Sequence, residues 1–303
     1  MTELRVEGPN RTLDPGTFYA TGTERIRRSR QSDACNRGKG KLTIPGRNAL
    51  GLVQSGADRR KALRQVRVRR DEAGFFVCEI GSIVGRPFSS PQGFAGWSYY
   101  LNFSFGSRPA DEVAVGRGDS VLWVFSDFNE DPAKQRNTGM ALELRGVEPG
   151  TTDGQMTVRV VAHQFDGSTT PVSDAEIEGA SFQAPGESEG EYEITVPPGF
   201  TTLTATRAKD IPSNHERTCF RPSASECPSA HGRTIYASGS ADRFAGTRGW
   251  DRIRALSGAD RVDASQGGED LVDCGAGRDT VLLGRAGGDD QIRGCERILR
   301  ARD

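Results

Sequence analysis

The sequence contains no run of about eighteen apolar residues, the length that a membrane-spanning helix needs. It has only three histidines, His163, His215 and His231, and none lies in a Gly-x-Ser-x-Gly or His-Glu-x-x-His motif. These absences exclude the commonest hydrolase and metalloprotease signatures. We therefore expect neither a membrane span nor enzymatic activity.

Cysteine is scarce, with six residues in a chain of 303. No Cys-x-x-Cys pair occurs and no histidine lies at a ligand spacing from a cysteine, so disulfides are favoured over a metal site. Proximity in the chain favours the pairs Cys35–Cys78, Cys219–Cys227 and Cys274–Cys295. Disulfides indicate an oxidising compartment. We expect a secreted or cell-surface protein, although residues 1–8 lack a signal-peptide pattern and the export leader would be absent from this chain.

The amino-acid composition and the spacing of turn residues predict a mainly β protein. Only 35% of the residues are hydrophobic, 38 are Gly and 15 are Pro, and short runs of Val, Thr and Phe alternate with turn residues. The length suits two or three modest domains. We place these at residues 1–130 (an α+β module), 139–218 (a β-sandwich) and 233–303 (a β-solenoid), arranged in series.

Positive charge is concentrated near the start of the chain. Residues 1–74 hold 17 basic and 8 acidic side chains, although the whole chain has a net charge of −1. The densest run extends from Arg59 to Arg70. It could attract nucleic acid or anionic wall polymers. Because it lacks a nucleic-acid motif and interleaved aromatic residues, a solvated strand or loop face is favoured, and no specific nucleic-acid recognition is predicted.

Three motifs in the first module carry a family resemblance. They are the segment from Gly74 to Ile80, the pattern Gly-Trp-x-Tyr-x-x-Asn from Gly96 to Asn102, and the pattern Gly-Asp-x-Val-x-Trp from Gly118 to Trp123. Together, residues 3–127 resemble a bacterial domain family related to the C-terminal β domain of transcobalamin and intrinsic factor. This resemblance implies a β-grasp-like fold and a surface for a small molecule, a glycan or a cell-wall component.

Four aromatic residues of these motifs are candidate ligand contacts: Trp97, Tyr99, Tyr100 and Trp123. Their faces could stack on a sugar or a flat ligand. The alternative is core packing, and this interpretation is favoured for the two tryptophans.

The middle segment shows an alternation of apolar and polar residues that predicts strands. Met156, Val158 and Val160 point one way, as do Tyr192 and Ile194. Residues 139–218 resemble the immunoglobulin-like or carboxypeptidase-regulatory-like sandwiches that act as spacers in surface proteins.

A Gly-x-Asp unit recurs in the last segment. Its aspartates are Asp251, Asp260, Asp270, Asp279 and Asp290, preceded by Asp242 in a weaker first copy that begins with Ser240; the six are separated by 9, 9, 10, 9 and 11 residues. This spacing predicts a solenoid with one coil for each pair of units and with the apolar residue two positions after each Asp stacked inside. The repeats resemble the nonapeptide β-rolls of the repeats-in-toxin (hemolysin-type) family, which implies Ca²⁺ coordination by these aspartates.

The charge balance of the repeats favours a second interpretation, a metal-free roll. Residues 233–303 hold 12 acidic and 12 basic side chains, and Arg directly follows Asp242, Asp251 and Asp260. A Ca²⁺ site needs an excess of oxygen anions. We therefore expect a non-enzymatic binding or adhesion protein that presents its first module to a ligand. The alternative is a structural extracellular protein whose β-roll binds calcium.

Overall fold

The computed structural model describes residues 1–29, 37–71, 74–87, 90–221, 227–228, 230–267, 269–284 and 290–301. The chain is mainly β, as the sequence predicts, and ends in a β-solenoid of about 3 turns. Within the described residues, no helix has both the length and the apolar character needed to cross a bilayer.

The N-terminal unit consists of two mixed sheets around one helix. Its strands are β1 (Thr2–Glu7), β2 (Thr12–Tyr19), β3 (Glu24–Ser29), β4 (Arg37–Ile44), β5 (Arg67–Asp71), β6 (Gly74–Ile80), β7 (Ile83–Val84), β8 (Gly93–Leu101), β9 (Ser104–Phe105) and β10 (Ser120–Asn129). The first sheet has the order β2-β1-β10-β8-β9, with β1 and β10 parallel, and the second has the order β4-β3-β5-β6-β7. Their inward faces share one hydrophobic core.

The helix α1 (Ala49–Arg59) packs into this core. It begins at Asn48, whose side chain accepts the Gly51 N–H at 2.7 Å and so satisfies one of the unpaired amides of the first turn. Residues 49–57 are all buried. At Gly56, an added Cβ would lie 2.7 Å from the Leu4 Cδ2 atom, so glycine allows the helix to approach β1 closely.

The middle unit has two antiparallel sheets that enclose a second core. Its strands are β11 (Ala141–Arg145), β12 (Gln155–His163), β13 (Thr169–Pro171), β14 (Glu176–Glu178), β15 (Phe182–Pro185), β16 (Glu191–Thr195), β17 (Gly199–Thr206) and β18 (Glu216–Phe220). One sheet has the order β11-β12-β16-β15 with β13 paired to β12, and the other has the order β14-β17-β18. Along β12, Met156, Val158 and Val160 are buried, and Gln155, Thr157 and Arg159 are exposed, as the alternation predicts.

The C-terminal solenoid is built from short parallel strands. They are β19 (Thr234–Tyr236), β20 (Arg243–Ala245), β21 (Arg252–Arg254), β22 (Ser257–Gly258), β23 (Arg261–Ala264), β24 (Leu271–Asp273), β25 (Ala276–Gly277), β26 (Thr280–Leu283), β27 (Gln291–Arg293) and β28 (Arg297–Arg300). The ladders β19-β21-β24-β27 and β20-β23-β26-β28 form its two main walls. Ile253, Val262, Val272 and Val281, each two positions after a repeat Asp, are fully buried inside. The predicted coil of two units is therefore confirmed.

The solenoid continues the first sheet of the N-terminal unit. Strand β19 pairs in parallel with β2, where Ile235 lies opposite Phe18 and Tyr236 opposite Tyr19, and the two tyrosine rings stack at 5.6 Å. One nine-stranded sheet thus runs from β27 to β9. The sequence predicts separate modules in series and contains no signal for this shared sheet.

Two of the three expected cysteine pairs lie at disulfide distance. The Cα atoms of Cys219 and Cys227 are 5.8 Å apart, and those of Cys274 and Cys295 are 5.2 Å apart. The Cys274–Cys295 bond closes the last coil of the solenoid. In the described chain, no further coil stacks on this one. Cys35 lies outside the described residues, and with it the expected Cys35–Cys78 pair.

Candidate functional site

A cavity of about 520 Å³ opens beside strand β8 of the N-terminal unit. This volume is within the range of small-molecule sites in proteins. Strands β6, β8 and β10 and the turn after β9 form most of its wall, and the turn between β12 and β13 contributes from the middle unit. Aromatic side chains dominate the lining: Phe75, Phe76, Phe94, Trp97, Tyr99, Tyr100, Phe105, Trp123, Phe128 and Phe165.

All four aromatic residues singled out from the sequence line this cavity, and each is largely buried. The Trp97 Nε1–H donates to the Ile83 carbonyl at 3.1 Å, and the Tyr99 hydroxyl donates to the Arg108 carbonyl at 2.6 Å. Trp123 Nε1–H donates to the Ala49 carbonyl at 3.2 Å. These side chains therefore belong to the core and present only ring surface to the cavity.

Tyr100 points to the opposite face of β8 from Tyr99. Its ring packs with Leu122, Val124, Ala141 and Ile211 in a small cluster between the N-terminal and middle units. Burial raises the pKa of its hydroxyl to about 12, so Tyr100 is neutral at physiological pH. The cavity thus extends round strand β8 to the boundary between two units.

The rim of the cavity consists of phenylalanines that the sequence analysis missed. Phe76, Phe105, Phe128 and Phe165 expose 43%, 43%, 48% and 70% of their surface. The Phe105 ring contacts the Phe165 ring edge-on at 5.7 Å between centroids, and Phe94 stacks on Phe128 at 6.2 Å. A cluster of exposed rings around a concave surface is unusual for a protein face that meets only water.

Several polar groups that line the cavity are bonded to main-chain carbonyls. The Ser126 hydroxyl donates to the Asn137 carbonyl at 2.7 Å, and the Asn137 amide donates to two backbone carbonyls. Arg108 is the only charged residue that lines the cavity within the described chain, and it lies 3.6 Å from Glu112 in an exposed position. The interior is therefore apolar and close to electrically neutral.

The repeat aspartates form two rows along the solenoid. Asp260, Asp270, Asp279 and Asp290 each accept, through Oδ1, the backbone N–H of the repeat Asp one coil earlier. The N–H···Oδ1 distances are 2.8 Å for Asp242–Asp260, 2.9 Å for Asp251–Asp270, 2.8 Å for Asp260–Asp279 and 3.0 Å for Asp270–Asp290. We call these the aspartate rows. They connect successive coils by hydrogen bonds between carboxylates and main chain.

The second oxygen of several row members is buried. The Oδ2 atoms of Asp260, Asp270 and Asp279 accept no hydrogen bond from any residue in the described ranges. Burial is the largest cause that raises the pKa of Asp270 to about 7, and the charges of Asp251 and Asp290 act in the same direction. Burial also raises the pKa values of Asp251 and Asp260. The rows are therefore most stable with some of their carboxyl groups protonated.

The described rows leave few free oxygens for a calcium ion. Ca²⁺ takes six to eight oxygen ligands. One oxygen of each of the repeat aspartates Asp260, Asp270, Asp279 and Asp290 already accepts a main-chain N–H. Across the described ranges, no three His, Cys, Asp or Glu side chains come together in a way that could hold a metal ion. The metal-free interpretation of the repeats remains a prediction.

Calcium is accordingly expected to leave the stability of the protein unchanged. A ligand that binds only the folded state raises the melting temperature by mass action. If the aspartate rows hold the roll together without metal, calcium has no site to bind and the melting temperature does not change. Thermal melts at neutral pH, with millimolar CaCl₂ or with a chelator, are expected to coincide. A rise of several degrees in CaCl₂ that MgCl₂ does not reproduce would contradict the metal-free interpretation.

Comparison of the chain with models of protein families, with curated proteins and with solved structures finds no significant match. The three family resemblances of the sequence therefore remain predictions. What the molecule does must be inferred from its own geometry.

Proposed function

We propose that this is a non-enzymatic binding protein of the cell surface or the extracellular space, whose N-terminal unit holds a small apolar ligand with a ring system. The observation that carries the proposal is the ring of exposed phenylalanines around the cavity. Exposed aromatic surface is unfavourable in water, and a concave aromatic wall gains most when a flat apolar molecule covers it. The middle unit and the solenoid then serve as spacer and scaffold.

The strand order of the N-terminal unit supports the β-grasp assignment. Strands β1 and β10 are parallel neighbours at the centre of the first sheet, β2 and β8 flank them, and α1 packs in the core beside them. A β-grasp is expected to contain a β-hairpin, then a helix, and then a later strand that lies beside the first strand. The two sheets of the middle unit likewise support a sandwich. Both assignments are consistent with a binding module followed by a spacer.

The distribution of polar groups favours an apolar ligand over a glycan. A sugar needs several free donors and acceptors around its hydroxyl groups. In this cavity the Trp97 and Tyr99 donors are already bonded to backbone carbonyls. Arg108 could pair with one acidic group of a ligand at the cavity mouth. We therefore propose a largely apolar molecule that is neutral or carries a single negative charge.

The histidines support a non-enzymatic role because each has a structural partner away from the cavity. His163 Nε2 lies 2.8 Å from Glu143, and its ring stacks on Phe103 at 4.3 Å. His215 lies between Glu7 and Thr204, and His231 contacts the carbonyls of Val147 and Arg217. None of the three lines the cavity. The two disulfides support a location outside the reducing cytosol.

Titration with anilinonaphthalene sulfonate tests this proposal, because the probe has apolar rings and one negative charge. We expect one saturable site with micromolar affinity, enhanced probe emission and quenching of tryptophan emission, since Trp97 and Trp123 line the cavity. A linear, non-saturating response or unchanged tryptophan emission would contradict the proposed site.

A further inference from the structure

We infer that the outer face of the second sheet binds an acidic polysaccharide. We define the basic face as Arg25 and Arg27 of β3, Lys41 of β4 and Arg69 of β5. The opposite side of the same strands carries Ile26, Leu42, Ile44 and Val68, which pack into the core. Because side chains alternate along a strand, the four basic residues point away from the core together. The inference does not depend on ligand binding in the cavity, although Phe76 borders both surfaces.

Strand register brings like charges directly opposite one another on this face. Arg27 lies between Lys41 of β4 and Arg67 of β5. Neighbouring strands are about 4.8 Å apart, and like charges opposite one another destabilise a sheet. Arg67 is neutralised by Glu79 at 2.7 Å. Among the described residues, no acidic side chain compensates its row neighbours Arg27 and Lys41 in this way.

Arg25, Arg27 and Lys41 are exposed, and no acidic side chain of the described chain forms an ion pair with any of them. This excess is local, because the whole chain has a net charge of −1. Repulsion within one row of a sheet is relieved when an anionic chain lies across it. The charge pattern therefore favours a linear polyanion as the partner.

The chemistry of the face distinguishes between two kinds of polyanion. Proteins that bind single-stranded nucleic acid present aromatic rings on which bases stack. The only aromatic ring paired with this face in the described strands is Phe76, and the Arg69 guanidinium lies over it at 4.9 Å. With a single, partly covered ring in place of a row of stacking rings, the face suits sulfate or carboxylate groups along a sugar chain. Such polymers are also available outside the cell, where we propose that the protein acts.

Binding to dextran sulfate and to polygalacturonate tests this inference and separates sulfate from carboxylate recognition. The full chain is expected to bind at least one of them, with an affinity that falls as salt concentration rises. The triple variant Arg25→Glu, Arg27→Glu, Lys41→Glu is expected to lose at least about tenfold in affinity, equivalent to 1.4 kcal/mol. The milder triple variant with Gln at these positions is expected to lose less and to melt at or above the wild-type temperature, because repulsion is removed.

The matched control carries the same change in charge on exposed solenoid arginines that do not lie opposite one another: Arg248→Glu, Arg252→Glu, Arg278→Glu. Its affinity is expected to stay within about twofold of wild type, since the basic face, and not the solenoid, would make the specific contacts with the polysaccharide. Equal losses in both charge-reversed variants, or failure of the wild type to bind either polysaccharide, would overturn the inference. Tighter binding of a single-stranded oligonucleotide of similar charge would identify the partner as nucleic acid instead.

Discussion

The Ser98→Trp variant is expected to lose at least about tenfold in affinity for anilinonaphthalene sulfonate, a loss of at least about 1.4 kcal/mol. Ser98 lies in the middle of β8, is half-buried and lines the cavity. A tryptophan side chain covers roughly 150–250 Å² of surface, so it would occupy the aromatic wall that the ligand contacts. The core beneath keeps Trp97 and Tyr99, and the fold is expected to survive.

The matched control is Ser188→Trp, which adds the same side chain to an exposed turn of the middle unit. Probe affinity in this variant is expected to equal that of wild type. Circular dichroism and thermal melts establish that both variants fold. If folded Ser98→Trp binds the probe as tightly as Ser188→Trp, the probe occupies another surface and the cavity is not the binding site.

The second large effect is expected in the aspartate rows, where stability should rise as pH falls. Asp270 has a pKa near 7 in the folded chain, against an ordinary value of 3.8. A carboxyl group whose pKa is raised by folding stabilises the folded state fully below its unfolded pKa, and this contribution is lost as pH rises through the folded pKa. The solenoid is therefore expected to be more stable at pH 5 than at pH 8.

Asp270→Asn is expected to flatten this pH dependence and to raise the free energy of unfolding at pH 8 by about 1–2 kcal/mol. The amide oxygen still accepts the Asp251 N–H, and no charge is buried. Asp270→Ala leaves that buried N–H unpaired and is expected to cost about 1–3 kcal/mol at pH 5, where Asp270 is neutral. Denaturant unfolding at the two pH values measures both effects.

Asp166→Asn serves as the control, because Asp166 lies on an exposed turn where hydrogen bonds from Ser168 lower its pKa. It should leave the slope between pH 5 and pH 8 unchanged. If Asp270→Asn retains the full wild-type slope, or loses stability at pH 8, then Asp270 is ionised in the folded chain. The aspartate rows would then need a counter-ion, and the metal-free interpretation would fail.

Two kinds of feature could be predicted from the sequence: those set by a short sequence repeat, and contacts between residues that are close together in the chain. The nine-residue spacing of the aspartates sets the coil length, because each Gly-x-Asp turn must place one apolar residue inside. The pairs Cys219–Cys227 and Cys274–Cys295 follow from proximity. In contrast, the apolar run from Ala49 to Val53 suggests only one or two helical turns. The helix continues to Arg59 because Gln54, Ser55 and Gly56 are also buried against neighbouring strands.

The rim of the cavity could not be predicted, because its members are far apart in the chain. Phe76, Phe105 and Phe128 belong to three strands of two sheets, and Phe165 belongs to the middle unit. In the sequence each resembles an ordinary apolar residue of a strand or its end. Only their shared exposure distinguishes them, and exposure depends on how the units pack. The pairing of β19 with β2 is likewise a long-range contact with no local pattern.

Nuclear Overhauser contacts between bound anilinonaphthalene sulfonate and the aromatic ring protons of the protein test the central claim most directly. If the probe binds in the cavity, contacts are expected from the probe to Phe105, Phe128 and Phe165, and to the tryptophan rings of the N-terminal unit. Contacts confined to rings outside the cavity, such as Phe182 or Trp250, would show that the exposed phenylalanines do not form a binding site.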